Sequence, residues 1–234
     1  MNSRKLYEYS PNWLLEIDIN DDKFIDEVNS FIDKNLNNFF CSKDGLSTKG
    51  KKSQQYWIHQ PPKINYLHDE NYVFIENHVK EIVYKSMIDA DILSKKVKNN
   101  KYILTHTNSW VVIGEEGGYH TIHDHGSDPF GLSTVLYTKV PNLDNFSEEQ
   151  IDNNSGNIFF VMNSTFTNNL YEKPSKINII SPLIGKLLIF PSWVLHGTYP
   201  QLKGTRQTLN INYTFSKNFK NNFFVYTQKP KILI

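Results

Sequence analysis

Three of the eight histidines in this 234-residue chain fall within six positions, at His120, His123 and His125. Because side chains alternate between the two faces of a strand, His123 and His125 would project together, and His120 and Asp124 would project the other way. Two imidazoles on one face can bind a single metal ion. The spacing alone leaves two interpretations open, a metal site and a polar strand end whose histidines have no function.

A further histidine and an arginine stand much later in the chain. His196 follows an apolar run and a Pro-Ser-Trp turn, and Arg206 comes ten residues after it. Three ligands on one side of an octahedral iron leave three positions open, and a chelating 2-oxo acid can fill two of them. The far carboxylate of such an acid needs a bidentate partner, which arginine supplies better than lysine. Arg206 is conspicuous here because Arg4 is the only other arginine among the 25 basic residues.

Short motifs surround these residues in a fixed order. They are Ser109-Trp110, the Gly-x-Tyr of 117–119, His123-x-His125, the run 133–137, Phe190-Pro191-Ser192 before His196, and Arg206. In this order residues 108–215 resemble the 2-oxoglutarate/Fe(II)-dependent oxygenases, in particular those of bacteria and phages with a His-x-His, His and Arg motif. Thr134 stands where those proteins usually have glycine. The resemblance implies a double-stranded β-helix, the jelly roll of cupin-like proteins, with iron bound at one open end.

The resemblance also implies roles for individual residues. His123 and His196 would be the first and last catalytic iron ligands, and Arg206 with Thr208 would bind the 5-carboxylate of 2-oxoglutarate. Better-known relatives have His-x-Asp, whereas the second residue of the motif here is His125. We therefore expect His125 to be the second metal ligand. The alternative is a two-histidine site completed by water or chloride.

Other residues are candidates to line the pocket. Tyr137 could donate a hydrogen bond to 2-oxoglutarate, and Asn108, His120 and Asn210 are candidate substrate contacts. We assign Trp110 and Trp193 to packing and expect Lys186 to be exposed. Alternation along the last long strand predicts two faces. Arg206, Thr208, Asn210 and Asn212 would look into the pocket, and Leu209, Ile211 and Tyr213 would pack against helices.

The resemblance and the residues that carry it predict a dioxygenase that uses Fe(II), 2-oxoglutarate and O₂. It would hydroxylate an unactivated C–H bond of an amino acid, a peptide or protein side chain or a small metabolite, releasing succinate and CO₂. Three alternatives stay open. One is a halogenase variant, and another is a three-histidine cupin-type metalloenzyme, which would not use 2-oxoglutarate and has no need of Arg206. The third is a non-catalytic jelly-roll binding module.

The periodicity of apolar residues predicts a mainly β protein of the α+β type. Helical spacing occurs at 21–36 and again from residue 70, where His78 lies on the apolar stripe; from residue 102 the period falls to about two. We expect a single domain, 1–234, with a helical and extended support region (1–100) before a jelly-roll core (101–228). The helices would pack on one sheet. Strands are predicted to include 118–125 and 223–228, with a polar surface insert at 142–155.

Composition excludes several classes of partner. The formal net charge is +1, so no nucleic acid or membrane surface is expected to bind, and a small molecule or peptide is the expected partner. One cysteine and no apolar segment of signal or spanning length favour a cytoplasmic protein. The basic run 48–57 is interpreted as a surface loop. Monomer and homodimer stay open.

Overall fold

The computed structural model describes residues 4–9, 12–42, 53–58, 66–92, 102–126, 128–142, 154–162 and 177–217. Its α-helices are α1 (Asp22–Asn35) and α2 (Glu70–Asp89), and short 3-10 helices span Leu36–Asn38 and Tyr66–His68. The first strands are β1 (Arg4–Tyr9), β2 (Asn12–Asp18), β3 (Phe40–Ser42), β4 (Ser53–Trp57), β5 (Tyr102–Gly114) and β6 (Gly131–Lys139). They are followed by β7 (Ile158–Val161), β8 (Ile177–Ile180), β9 (Lys186–Pro191), β10 (His196–Thr198) and β11 (Arg206–Lys217).

The described strands form two antiparallel sheets. The large sheet has the order β1-β2-β9-β6-β11-β5-β4-β3, and the small sheet has the order β10-β7-β8. The segment 120–125 joins the free side of β10 through an isolated bridge between His123 and His196. From β5 onward the chain passes back and forth between the two sheets, except that β7 and β8 are successive strands of the small sheet, and this arrangement is the predicted jelly roll.

The large sheet is buried on both faces, and each face has its own hydrophobic core. The outer face packs against both helices, with Leu209 and Ile211 of β11 among the residues of that core. The inner face packs against the small sheet, where Phe190 of β9 meets Phe160 of β7 at 4.9 Å between ring centroids. The predicted apolar face of β11 is confirmed, because Tyr213 also belongs to the outer core.

Both helices begin where the sequence provides a cap. The Asp21 side chain accepts from the main-chain N–H of Phe24, and Asp69 caps α2 in the same way. His78, on the apolar stripe of α2, packs against α1, since its ring lies 4.2 Å from that of Phe24 between centroids. None of the described helices has the length and apolar character needed to cross a membrane.

Three local expectations are corrected. The segment 118–125 is not a regular strand, because only the residues at 120 and 123 make bridges. Residues 53–57, expected in a loop, form β4 and pair with β5. Lys186, expected to be exposed, is 6% exposed because its Nζ lies 2.8 Å from the Glu16 carboxylate on the neighbouring strand. The expected strand 223–228 and most of the insert 142–155 lie outside the described residues.

Candidate functional site

Three histidines meet at one end of the jelly roll. His123, His125 and His196 each offer one ring nitrogen, and these atoms lie within 4.8 Å of one another. The centroid of the His196 ring is 4.4 Å from that of His123 and 4.8 Å from that of His125. The main-chain N–H groups of His123 and His196 each donate to the other residue's carbonyl oxygen at 2.9 Å. This exchange places side chains that are distant in sequence side by side.

Hydrogen bonds behind two of the rings determine which nitrogen faces the cluster. Nδ1 of His123 lies 2.7 Å from the carbonyl oxygen of Thr121, and Nδ1 of His196 lies 2.9 Å from that of Val194. A carbonyl oxygen can only accept, so Nδ1 of each ring carries a proton and Nε2 is the nitrogen left to bind a metal. Metal-binding histidines are commonly oriented in this way.

The third ring is held by the central strands of the large sheet. Nδ1 of His125 lies 2.8 Å from Ser133 Oγ of β6 and 3.2 Å from Asn212 Oδ1 of β11. Burial and, to a smaller extent, the neighbouring His123 lower the pKa of His125 to about 4, and the Asn212 hydrogen bond acts in the opposite direction. His125 is therefore neutral at pH 7, the form that can ligate a metal.

The pKa of His196 is also depressed. Burial lowers it well below its ordinary value, and the nearby His125 and His123 rings act in the same direction. A neutral imidazole donor set suits ferrous iron as well as zinc, copper and nickel. No carboxylate belongs to this cluster in the described part of the chain. Asp124 is exposed and its side chain instead accepts from the main-chain N–H of Gly126 at 3.1 Å, as expected of a residue that faces away from the site.

A buried guanidinium lies in the same cleft as the three histidines. Arg206 is 2% exposed and donates to the carbonyl oxygen of Gly156 and, at 3.3 Å, to Thr198 Oγ1. Among the described residues no carboxylate lies within ion-pair distance of it. Burial lowers the pKa of Arg206, whereas the electrostatic interaction with Tyr137 raises it. A buried cation without an anionic partner is an attractive site for an anionic ligand.

Tyr137 of β6 is buried beside this cation. Burial raises the pKa of Tyr137 to about 12, although the Arg206 charge acts in the opposite direction. The phenol therefore keeps its proton at neutral pH and can serve as a hydrogen-bond donor. Thr208 is 6% exposed and lines the same cleft.

The cleft combines residues from both sheets. Its walls are formed by Trp110, Val112, His120, His123, His125, Val135, Tyr137, Ile158, His196, Gly197, Thr198, Arg206, Thr208 and Asn210. Trp110 thus has a role beyond the packing assigned to it, because its ring lies 5.1 Å from that of His125 in an edge-to-face contact. Asn210 lines the wall while its Nδ2 donates to Thr208 Oγ1 at 3.0 Å. Asn108, two residues before Trp110 on β5, is not one of the lining residues.

His120 lies on the same side as His123, which alternation along a strand did not predict. Its ring centroid is 5.9 Å from that of His123, and it lines the cleft. The reason is that the segment departs from regular strand geometry between its two bridges. Burial lowers the pKa of His120 to about 3, with the Arg206 charge as the next cause.

Several supporting residues were not identified as such from the sequence. Ser133 and Asn212 hold His125, while Thr198 and Gly156 accept from Arg206. The position of Asn212 on the pocket face of β11 was the available signal, since a polar residue on an inward face needs a partner. Nothing local in the sequence marks Gly156 as a partner of a residue fifty positions away.

Comparison with protein families gave a match over this region. Residues 108–212 match the family described as putative 2OG-Fe(II) oxygenase. The match confirms the predicted resemblance, and with it the dioxygenase class and the cofactors, ferrous iron and 2-oxoglutarate. Comparison with curated proteins gave no match.

Solved structures share the fold at low sequence identity. A prolyl-4-hydroxylase of Pseudomonas putida is 11% identical, with a TM-score of 0.52 over 89% of this chain and 95% of its own. A prolyl hydroxylase of Trichoplax adhaerens, in complex with a hypoxia inducible factor peptide fragment, is 15% identical, with a TM-score of 0.52 over 86% and 83%. The alpha ketoglutarate dependent carbocyclase SnoK from nogalamycin biosynthesis is 8% identical, with a TM-score of 0.59 over 86% and 79%. These similarities confirm the jelly-roll fold.

Proposed function

We propose, on the premise that residues 108–212 belong to the 2-oxoglutarate/Fe(II)-dependent oxygenases, that the cleft is the catalytic centre of a hydroxylase. His123, His125 and His196 would bind the iron. Arg206, Thr208 and Tyr137 would bind 2-oxoglutarate. We treat residues 1–234 as one domain built around this cleft.

One observation carries the proposal, the presence in one cleft of three converging imidazoles and a buried guanidinium that has no carboxylate partner among the described residues. Imidazoles alone would fit several metals, and a buried arginine alone would fit many anions. Together they fit an anionic ligand that chelates the metal at one end and carries a second charge at the other. The five-carbon dicarboxylate 2-oxoglutarate has this form.

The protein's own residues would bind, orient and exclude water. Arg206 is fixed by its hydrogen bonds to Gly156 and Thr198, so its fork can meet a carboxylate without reorganising. The protonated Tyr137 supplies a further donor beside it. When bound, iron and 2-oxoglutarate supply the oxidising chemistry, in which O₂ is consumed, succinate and CO₂ are released and an oxygen atom is delivered to a C–H bond.

His125 distinguishes this proposal from halogenation. A halogenase needs a metal position for chloride, and under our assignment His125 Nε2 takes that position. Its Nδ1 has two oxygen neighbours, as suits a ring whose other nitrogen ligates a metal. A cupin-type enzyme without 2-oxoglutarate would leave the buried Arg206 without a function.

The proposed substrate is an amino acid, a peptide or protein side chain, or a small metabolite. His123 and His125 are half-buried while His196 is buried, so the cleft opens on the side of the first two ligands. Trp110 beside His125 offers an apolar wall there, and Asn210 offers a polar atom. Asn108, next in line on β5, is the proposed outer contact. The peptide held by the Trichoplax adhaerens relative supports including peptides.

The proposal is tested by anaerobic titration of Fe(II) and then 2-oxoglutarate into the metal-free protein, observing the visible charge-transfer band of the chelate. We expect a band in the wild type. Arg206→Lys should bind Fe(II) normally but need a much higher 2-oxoglutarate concentration for the same band. Bound iron without a band at any 2-oxoglutarate concentration would refute the proposal and favour the cupin-type alternative.

A further inference from the structure

The His120 ring has a buried nitrogen, Nε2, that has no hydrogen-bond partner among the described residues. The residue is 8% exposed, and no hydrogen-bond partner of its Nε2 lies within the described residues. Its main-chain N–H donates to Thr198 Oγ1 at 2.8 Å, which fixes the backbone from which the ring enters the cleft. Buried polar atoms are nearly always paired in folded proteins, so an unpaired one that lines a cleft indicates a ligand.

The segment that carries His120 packs closely against β10. The Thr198 main-chain N–H donates to the His120 carbonyl oxygen at 3.0 Å, so the two segments run side by side. Gly197 makes this possible, because a β-carbon there would lie 3.1 Å from that oxygen and 2.7 Å from the Phe159 ring. The His120 main chain is therefore held against β10, and its buried side chain lines the cleft.

The same hydroxyl connects His120 with the buried guanidinium. Thr198 Oγ1 accepts from the His120 main-chain N–H at 2.8 Å and from Arg206 Nη2 at 3.3 Å. His120 and Arg206 thus stand on two walls of one cleft, the 120–125 segment and β11, with β10 between them. A ligand attracted by the uncompensated charge of Arg206 is an anion, and an anion is an acceptor for an imidazole N–H.

We infer that His120 Nε2 donates a hydrogen bond to the distal carboxylate of 2-oxoglutarate, so that this carboxylate is held by Arg206 from one wall and by His120 from the other. The inference rests on the proposed function and reassigns His120 from the substrate to the co-substrate. It makes His120 a binding residue that favours 2-oxo acids with a second carboxylate. Together the two donors make binding depend on both the charge and the chain length of the acid.

The test compares 2-oxoglutarate with 2-oxopentanoate, which has the same chain length and chelating end but lacks the distal carboxylate. Dissociation constants are measured anaerobically on the Fe(II)-loaded full chain, by the visible band and by calorimetry. His120→Phe keeps a ring and removes the donor. His120→Gln places an amide N–H near the original Nε2 and serves as the conservative control. Fe(II) affinity is measured for each variant.

We expect His120→Phe to weaken 2-oxoglutarate binding by roughly tenfold to a hundredfold, the range for a hydrogen bond to a charged group. Binding of 2-oxopentanoate and of Fe(II) should stay unchanged, and His120→Gln should recover most of the 2-oxoglutarate affinity. Equal losses for both acids would overturn the inference, because the ring would then only support the cleft. Unchanged 2-oxoglutarate binding in His120→Phe would also overturn it while leaving the proposed function intact. Failure of the wild type to bind 2-oxoglutarate would overturn both.

Discussion

Removing the oxygen atoms behind His125 should weaken metal binding, although neither atom would touch the metal. Nδ1 of His125 has two oxygen neighbours, Ser133 Oγ at 2.8 Å and Asn212 Oδ1 at 3.2 Å. Loss of such supporting contacts typically lowers metal affinity by about 10-fold to 100-fold. Loss of the shorter contact, to Ser133, should lower the metal affinity more than loss of the longer one. We therefore expect Ser133→Ala to lower Fe(II) affinity about tenfold and Asn212→Leu to lower it less. The double variant should lower it by more than about tenfold and less than about a hundredfold, roughly 1.4 to 2.7 kcal/mol.

A matched control lies one residue further along β6. Thr134 Oγ1 donates to the carbonyl oxygen of Ile211 on β11 at 2.8 Å and has no hydrogen bond to a histidine among the described residues. Thr134→Val removes a hydrogen bond between the same two strands, so it should lower the free energy of unfolding by about 1 kcal/mol and leave metal affinity unchanged. His125→Ala is the positive control and should lower Fe(II) affinity at least as far as the double variant.

The assay is anaerobic competition for Fe(II) against a coloured chelator, with urea unfolding of the metal-free protein run in parallel. The unfolding data separate a loss of metal affinity from a loss of fold. Our reasoning would be refuted if the Ser133 and Asn212 double variant bound Fe(II) as tightly as Thr134→Val does. If His125→Ala also bound Fe(II) as tightly as Thr134→Val, His125 would lie beside the metal without ligating it, and the two-histidine alternative would be correct.

Three further predictions concern the guanidinium and a buried ion pair. Arg206→Lys should raise the dissociation constant of 2-oxoglutarate by about 10-fold to 100-fold, measured by anaerobic titration, because a single ammonium cannot replace the fork; Fe(II) affinity is the control. Gly156→Ala should weaken 2-oxoglutarate binding while sparing Fe(II), because φ is +67° there and a β-carbon would overlap the Gln201 side chain, moving the carbonyl that Arg206 binds. Unchanged 2-oxoglutarate binding in Gly156→Ala would contradict this prediction, because Arg206 would then not depend on the position of the Gly156 carbonyl. Lys186→Met should cost about 3–5 kcal/mol in urea unfolding by leaving Glu16 buried and unpaired, and adding Glu16→Leu should restore most of it. If the second change brings no recovery, the pair is not what stabilises this site.

The sequence alone determined the arrangement of the long elements and the order of the motifs. In β11 the period of two placed Arg206 and Thr208 on the cleft side and Leu209 and Ile211 against the helices, as observed. This succeeds because β11 is paired on both sides along most of its length, so its alternation is continuous. The helices could be predicted equally well, since an amphipathic stripe and a capping aspartate are local features of the sequence.

Tertiary structure alone decided how the irregular segment 120–125 arranges its side chains. One isolated bridge does not impose the alternation of a ladder, so His120 turned into the cleft with His123 and His125. Partners distant in sequence decided the rest: Glu16 neutralises the buried Lys186, and the partners of His125 come from two other strands. A sequence pattern reports the faces of one element, whereas burial and hydrogen-bond satisfaction depend on which elements come to lie beside it.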